Sequence, residues 1–314
     1  MHQFSILTPT YNRAKYLKNV YYSLCQQNNI DIEWIIVDDG STDNTKEIIN
    51  SFNENDKLKI KYIYKDNSGK PSAMNEGFKQ LNSYITLITM DSEDSLCSGS
   101  LEAAWSYFDI HKKRFENDCV CLSGLCQYEN KKIIGMKFPN DYYVSDYIKY
   151  IKNTNTIGDK CEFYITDILR CYPFPIFKDE KNIAPSIIPI RIALSYKTLF
   201  VNKIFQEKQF LQDGLSTQNY WLKYPLSSEY YYNEASTAPF ILKLQIKHSA
   251  KYIFFAKINK KKHIFKEAKN KSIFILGLMA FYFIALKYFL KRTSFTTEVL
   301  NSKEYKIFTQ SNDS

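Results

Sequence analysis

Two unbroken apolar runs frame the first third of this chain: Trp34-Ile35-Ile36-Val37, and Tyr84-Ile85-Thr86-Leu87-Ile88-Thr89-Met90. Both are short and rich in β-branched residues, the pattern of a strand buried on both faces of a mostly parallel sheet. Between and around them the apolar period switches repeatedly. Phe4 to Thr10 predicts a first strand ending at a proline, and Tyr16 to Gln27 a helix with Tyr16, Leu17, Val20, Tyr21 and Leu24 on one face. Asp31 to Val37 predicts the second strand. Ser41 to Thr45 offers a cap for a helix carrying Ile48, Ile49 and Phe52. Lys59 to Tyr64 predicts a third strand, Ser72 to Leu81 a helix, and Tyr84 to Met90 the fourth strand. This alternation implies right-handed crossovers in a layered α/β domain.

From residue 119 to 240 the pattern is less regular. Prolines 173, 175, 185, 189, 225 and 239 interrupt short strand-like pieces, which are expected to complete the sheet and form a second pocket. Beyond 240 the chain turns basic and then apolar. Three stretches are therefore expected: 1–118, 119–240 and 241–314.

Charge changes the picture only at the C-terminal end. The net charge is +9, but residues 243–292 hold thirteen Lys or Arg against one acid, Glu267, which leaves the remainder at −3. A basic patch confined to one segment argues against a nucleic-acid-binding core and for a local electrostatic contact. Residues 272–290 form a nineteen-residue stretch with one Lys, at the lower limit for a membrane span and flanked by basic residues. A core helix is disfavoured for a segment lying beyond the layered α/β body and apolar all round. A spanning helix remains, as does an interfacial helix or re-entrant pair meeting anionic headgroups, which suits the basic segment better. The seven cysteines include no CxxC pair, and the chain enters a strand directly after Met1, so reduced thiols and no cleavable targeting segment are expected. Four scattered histidines offer no zinc cluster.

The chemistry gathers at the strand ends. Asp38-Asp39-Gly40-Ser41 follows the second strand, and Asp91-Ser92-Glu93-Asp94 follows the fourth. In open α/β sheets ligands bind beyond the carboxyl ends of the strands. Thr8, Pro9 and Tyr11 end the first strand and can wall a cleft that suits a nucleobase. Asp39 can accept a base N–H, or simply cap the next helix. Asp91 and Glu93, two residues apart, can share a ribose hydroxyl and a hard cation, with Asp94 as a substitute ligand; otherwise the three are loop acids. Lys70, in a Gly-containing loop before a helix, can hold phosphate or ribose together with the helix amides, or be a solvated surface lysine. Asn75 and Gly77 read equally as helix-packing and as sugar-side residues.

Four motifs in order, Ser5-Ile-Leu-Thr-Pro-Thr-Tyr-Asn12, Ile36-Val-Asp-Asp-Gly-Ser-Thr-Asp43, Lys70-Pro-Ser-Ala-Met-Asn-Glu-Gly77 and Met90-Asp-Ser-Glu-Asp94, resemble those of family 2 inverting glycosyltransferases of the GT-A fold. Gly158-Asp-Lys-Cys-Glu162, Tyr172-Pro-Phe-Pro175, Asp179-Glu-Lys181 and Gln212-Asp-Gly-Leu-Ser216 resemble the acceptor half of bacterial members that build surface polysaccharides. The resemblance covers residues 1 to about 240 and departs from the family at Glu93, where members usually carry Asp. It implies a Rossmann-like, mostly parallel sheet flanked by helices, here followed by a helical, membrane-associating extension. It also implies a nucleotide-sugar donor, expected to be a UDP-sugar, with Mn²⁺ or Mg²⁺ as cofactor. The acceptor would be a glycan or lipid-linked acceptor at an anionic membrane surface, with the enzyme cytoplasmic, peripheral or anchored at the inner face of the cell membrane. The resemblance places the base that deprotonates the acceptor about a hundred residues beyond the metal motif, where Glu180 ranks first, Asp179 second and Asp213 third.

The rival classes lack their signatures. A nicotinamide dehydrogenase would carry GxGxxG after the first strand, and a nucleotidyltransferase a Gly-rich basic loop; Thr8-Pro-Thr-Tyr-Asn-Arg13 stands there instead. A module that binds nucleotide-sugar or glycan without turnover stays open, with Glu93 as its support.

Overall fold

The computed structural model describes residues 2–28, 30–52, 58–88, 90–154, 158–209 and 220–291. They fall into two compact units, one of Met1–Lys181 with Ile188–Leu211, the other of Asn182–Ile187 with Gln212–Ser314.

The first unit opens with β1 (His2–Thr10), α1 (Ala14–Cys25), β2 (Ile32–Asp38), α2 (Thr45–Phe52), β3 (Lys59–Tyr64), α3 (Lys70–Phe78) and β4 (Ser83–Leu87). It continues with β5 (Ser95–Leu96), α4 (Ser100–Ile110), α5 (Lys112–Phe115), β6 (Cys119–Tyr128), β7 (Tyr143–Ser145), α6 (Tyr147–Thr154), β8 (Lys160–Ile165), α7 (Thr166–Arg170), α8 (Ile187–Ile192) and β9 (Lys197–Lys208). Among the described residues all nine strands join one sheet in the order β3-β2-β1-β4-β8-β6-β9-β5, with β7 also on β9. β3, β2, β1 and β4 run parallel, and β8 enters antiparallel between β4 and β6. The sheet is thus continuous across residue 118. Its second half is more regular than the proline-rich sequence suggests, because β6 and β9 are ten and twelve residues long.

The reversal between β1 and β4 creates the switch point at which α/β sheets bind ligands. Register aligns Thr10, Asp38 and Tyr64 at the ends of β1, β2 and β3, so Tyr11, Asp39 and Lys65 leave the sheet side by side. β4 stops at Leu87, short of the expected Met90, because its ladder with β8 ends at the Leu87–Phe163 pair. Every residue of β2 is buried, as its uninterrupted apolar run requires. Tyr21 of α1 stacks on Phe52 of α2 with ring centroids 4.4 Å apart. Asp43 accepts from the Ala14 amide at 3.2 Å and the Thr45 amide at 3.1 Å, so one carboxylate satisfies the starts of both helices.

The turn after β4 is pinned to β9 by charge. Asp94 is almost wholly buried and accepts from Lys208 Nζ at 2.8 Å and Gln206 Nε2 at 3.2 Å. Burial raises the Asp94 carboxyl to about 7, with Lys208 pulling it down and Asp91 pushing it up. Lys208, itself opposed by burial, is held charged by Asp94 and Asp91.

The second unit is helical: α9 (Tyr220–Lys223), α10 (Pro225–Thr237), α11 (Leu242–Ile258), α12 (Ile264–Glu267) and α13 (Lys271–Lys291). Its core joins Tyr232, Tyr252, Ile253, Phe255, Ala256, Ala268 and Phe274. The apolar C-terminal helix therefore contributes to a core, against the expectation that it would not. Ile273 and Phe274 are buried, and Gly277 lies so close to α11 that a Cβ there would meet Ser249 Oγ at 2.4 Å. The opposite side keeps Ile275, Met279 and Tyr282 exposed. Among the described residues no helix is long and apolar enough to cross a membrane.

The Asp94–Lys208 pair yields a stability prediction. Lys208→Met removes one partner of a buried pair, a change that costs about 3–5 kcal/mol. Losing the ammonium lifts the Asp94 carboxyl above its value of about 7, so at pH 5 the variant holds it neutral. Urea melts are expected to show the large loss at pH 8 and a clearly smaller one at pH 5; an equal loss at both would remove Asp94 as the cause.

Candidate active site at the carboxyl ends of the strands

The site is organised around Asp39, a buried carboxylate immediately after β2. Its Oδ1 accepts from Lys65 Nζ at 2.8 Å and the Ser68 amide at 3.0 Å, and its Oδ2 accepts from the Gly69 amide at 2.7 Å. A carboxylate has about four acceptor positions, so Oδ2 keeps one for a further donor. Asp38, its neighbour, is committed to the fold: it accepts from the Ser41 amide and the Tyr62 hydroxyl, both at 2.8 Å. The Tyr62 phenol is pushed up by burial and by that carboxylate.

Fixing Ser68 and Gly69 fixes the start of α3. Gly69 is the N-cap of α3 with φ +97°, a conformation that favours glycine. A Cβ there would lie 2.1 Å from the Lys181 carbonyl oxygen. This close approach brings the 177–181 segment onto the same loop, and Lys181 Nζ reaches Asn67 Oδ1 at 2.6 Å. Next in sequence, Lys70 Nζ meets Asp91 Oδ1 at 2.5 Å, each side chain about a third exposed (31% and 33%). Burial opposes ionisation of Asp91, but Lys70 and Lys208 outweigh it and hold the carboxyl below its usual range. An accessible anion and cation thus face one another beyond the strand ends.

Tyr11 is 47% exposed and follows Thr10, whose carbonyl accepts from the Asp39 amide at 2.9 Å. Thr8 and Pro9 are buried instead of lining the cleft, and the Thr8 hydroxyl accepts from the Trp34 indole N–H at 3.0 Å. Strand alternation and the neighbouring indole turn Thr8 inward, so its side chain is not on the ligand face. Glu180 is half-buried in the turn from Phe177, and Asp179 is exposed with φ +63°. Asp213 lies outside the described residues. Asn75 and Gly77 are packing residues: Asn75 exchanges two 2.8 Å hydrogen bonds with the backbone of Phe174, and a Cβ on Gly77 would strike Leu7.

The expected metal set of Asp91, Glu93 and Asp94 does not assemble as a cage. Asp94 is buried against Lys208, and Glu93 lines a separate cavity of about 470 Å³ with residues such as Gln127, Lys131 and Glu207. Among the described residues no three His, Cys, Asp or Glu converge to hold a metal ion. Asp91 alone, partly exposed, fits the mode in which a hard cation takes one carboxylate and completes its shell with substrate phosphates and water.

Two site cations escaped sequence reasoning. Lys65 carries no signal beyond being the residue after β3, and Lys208 stands more than a hundred residues from the acids it neutralises.

Comparison with known proteins agrees with this geometry. Residues 5–172, more than half of the chain, match the profile of Glycosyl transferase family 2. A glycosyltransferase of Haemophilus influenzae is 38% identical over 137 residues, covering 42% of this chain and 52% of its own. The poly(ribitol-phosphate) beta-N-acetylglucosaminyltransferase TarS of Staphylococcus aureus is 31% identical over 113 residues, 35% of this chain and 20% of its own. These matches span only a fifth to a half of the two relatives' lengths. The crystal structure of S. aureus TarS 1–349 in complex with UDP-GlcNAc superimposes with a TM-score of 0.61 at 19% identity, over 89% of this chain and 80% of that one. A mannosyltransferase of Pyrobaculum calidifontis, solved with GDP-Man and Mn²⁺, gives 0.51 at 15% identity, over 98% and 83%. The chain belongs to glycosyl transferase family 2 and has the GT-A type of α/β fold.

Proposed function

We propose that this protein transfers a sugar, with inversion, from a UDP-sugar to a hydroxyl of a growing bacterial surface glycan. The observation that carries the reading is the continuous link from Asp39 through the Ser68 and Gly69 amides to Lys70 and Asp91 at the sheet's switch point. In this reading the remaining acceptor position of Asp39 takes the imide N–H of uracil, and the exposed Tyr11 ring lies against the base. Lys70 and the amino end of α3 face the diphosphate, and Asp91 takes a ribose hydroxyl.

The reaction needs one base, since inversion proceeds without a covalent sugar–enzyme intermediate. Glu180 is assigned that role: it takes the proton of the acceptor hydroxyl as that oxygen forms its bond to the anomeric carbon and the bond to UDP breaks. The contact of Lys181 with Gly69 supports this assignment by tying the Glu180 turn to the donor loop. Asp179, exposed in the same turn, is the second candidate. A bound Mn²⁺ or Mg²⁺ would be held by Asp91 and would neutralise charge on the departing diphosphate.

The exposed Ile275, Met279 and Tyr282 on α13, together with the basic run Lys260-Lys261-Lys262, support attachment to an anionic membrane where a lipid-linked acceptor would be met. A second reading, binding of nucleotide-sugar without turnover, draws on Glu93 lying away from Asp91.

A screen of UDP-sugars for UDP release, with glycan acceptor and Mn²⁺, is expected to find one productive donor. Asp91→Asn should lower its turnover at least about 100-fold and abolish the advantage of Mn²⁺ over EDTA in UDP binding. UDP binding without turnover of any donor would favour the second reading, and no UDP binding would overturn both. Glu180→Gln is expected to leave the dissociation constant for UDP within about twofold while lowering kcat by about 10²–10⁴. An unchanged kcat would move the base to Asp179 or Asp213. In flotation assays the protein should rise with vesicles containing anionic lipid and not with neutral ones, and detach at high salt. Equal binding to both would leave the basic run without a role.

A further inference from the structure

A second cavity lies wholly within the helical unit, between α9, α10, α11 and the 182–186 segment. Its volume is about 160 Å³, below the roughly 300–1,000 Å³ of sites that enclose a drug-sized ligand. It is too small for a nucleotide-sugar and right for one compact group.

The lining chemistry is one-signed. Lys247, His248 and Lys251 of α11 border the cavity, and among the described residues no Asp or Glu does. The acids of the surrounding helices are engaged elsewhere. Glu229 accepts from Asn259 at 2.6 Å, Glu234 pairs with Lys269 at 2.5 Å, and Glu267 pairs with Lys261 at 2.8 Å. Among the described residues neither Lys247 nor Lys251 has an acid within ion-pair distance. Two lysines four apart on a helix repel one another, and a half-buried ammonium without a carboxylate costs free energy. Lys251 is held instead by neutral groups: its Nζ donates to the Tyr232 hydroxyl at 3.0 Å and sits 4.8 Å from the Trp221 ring centroid. Burial and Lys247 push its ammonium below the usual lysine range. His248, between Phe240 and Tyr232 with centroids 5.1 and 5.8 Å away, has a buried Nδ1 with no hydrogen-bond partner. Burial, with Lys251 and Lys247, pulls its imidazolium down to about 4.

A phosphate would resolve each of these features. It would neutralise the lysine pair and give His248 an acceptor. The aromatic rim, with Trp221 39% exposed, would cover the carbons attached to a bound phosphoester. We propose that this cavity is a phosphate-binding site, seating one phosphate of a phosphate-bearing glycan. The proposal rests on the glycosyltransferase reading for the identity of that glycan.

The test follows the side-chain ¹⁵N resonances of His248, assigned with His248→Gln, and Trp221 fluorescence during titration of the full chain. Three probes separate the possible sources: inorganic phosphate, a short phosphodiester-linked polyol, and a short-chain phosphatidic acid below its micelle concentration. Saturable shifts with the polyol phosphodiester, at least about tenfold tighter than with inorganic phosphate, are expected. Lys251→Gln should weaken this binding at least about tenfold, and Lys251→Arg should retain it. Tighter binding of the phosphatidic acid than of the polyol would overturn the glycan assignment in favour of a lipid headgroup. Absence of saturation with all three probes, or equal binding by Lys251→Gln with an unchanged melting temperature, would overturn the site. UDP binding by the wild-type chain, measured in the same samples, reports separately on the glycosyltransferase reading.

Discussion

The site depends on one buried carboxylate satisfying backbone donors that a loop cannot satisfy by itself. Asp39 holds the amides of Ser68 and Gly69 together with the Lys65 ammonium. A buried amide without a partner costs on the order of 1–3 kcal/mol, so the loop between β3 and α3 has a strong reason to adopt this geometry. With the loop set, Lys70 falls opposite Asp91, and the backbone of Lys181 packs on a residue with no side chain. The 65–70 and 177–181 segments, far apart in sequence, thereby meet at a loop set by a single acceptor group.

The acids after β4 are sorted by depth. Asp91, a third exposed, meets Lys70 beyond the strand ends, whereas Asp94 is buried and takes the ammonium of Lys208 from β9. Removing two charges from water is tolerable only when they face one another with their remaining hydrogen bonds made, and Gln206 supplies one of these to Asp94. That burial is why the three acids form no common cage. Asp94 is held by the fold, Glu93 points to another cavity, and Asp91 remains as the carboxylate available to a ligand.

The basic C-terminal segment is likewise divided by its surroundings. Lys261 and Lys269 close ion pairs with glutamates of the helical unit. Lys247 and Lys251 border a cavity that no acid among the described residues lines. A run of like charge in the sequence therefore contains both cations that staple helices and a cation, Lys251, held by neutral groups.

The strands through β4, their parallel order and the placing of Asp39, Lys70 and Asp91 beyond strand ends were legible in the sequence, because each is encoded locally. A short unbroken β-branched run bounded by turn residues favours a strand buried on both faces, and the residue that follows it leaves at the sheet's edge. The inward turn of Thr8, the burial of Asp94 under Lys208 and the packing roles of Asn75 and Gly77 were decided by partners distant in sequence. The apolar helix at residues 271–291 shows the same limit. Its composition announces an apolar surface, but only the approach of Gly277 to Ser249 determines which part is covered by α11. Local pattern sets which elements form and where they end, since propensity and burial act over a few residues. Which charge meets which, and which hydroxyl turns inward, depends on contacts that exist only once the sheet and helices have packed.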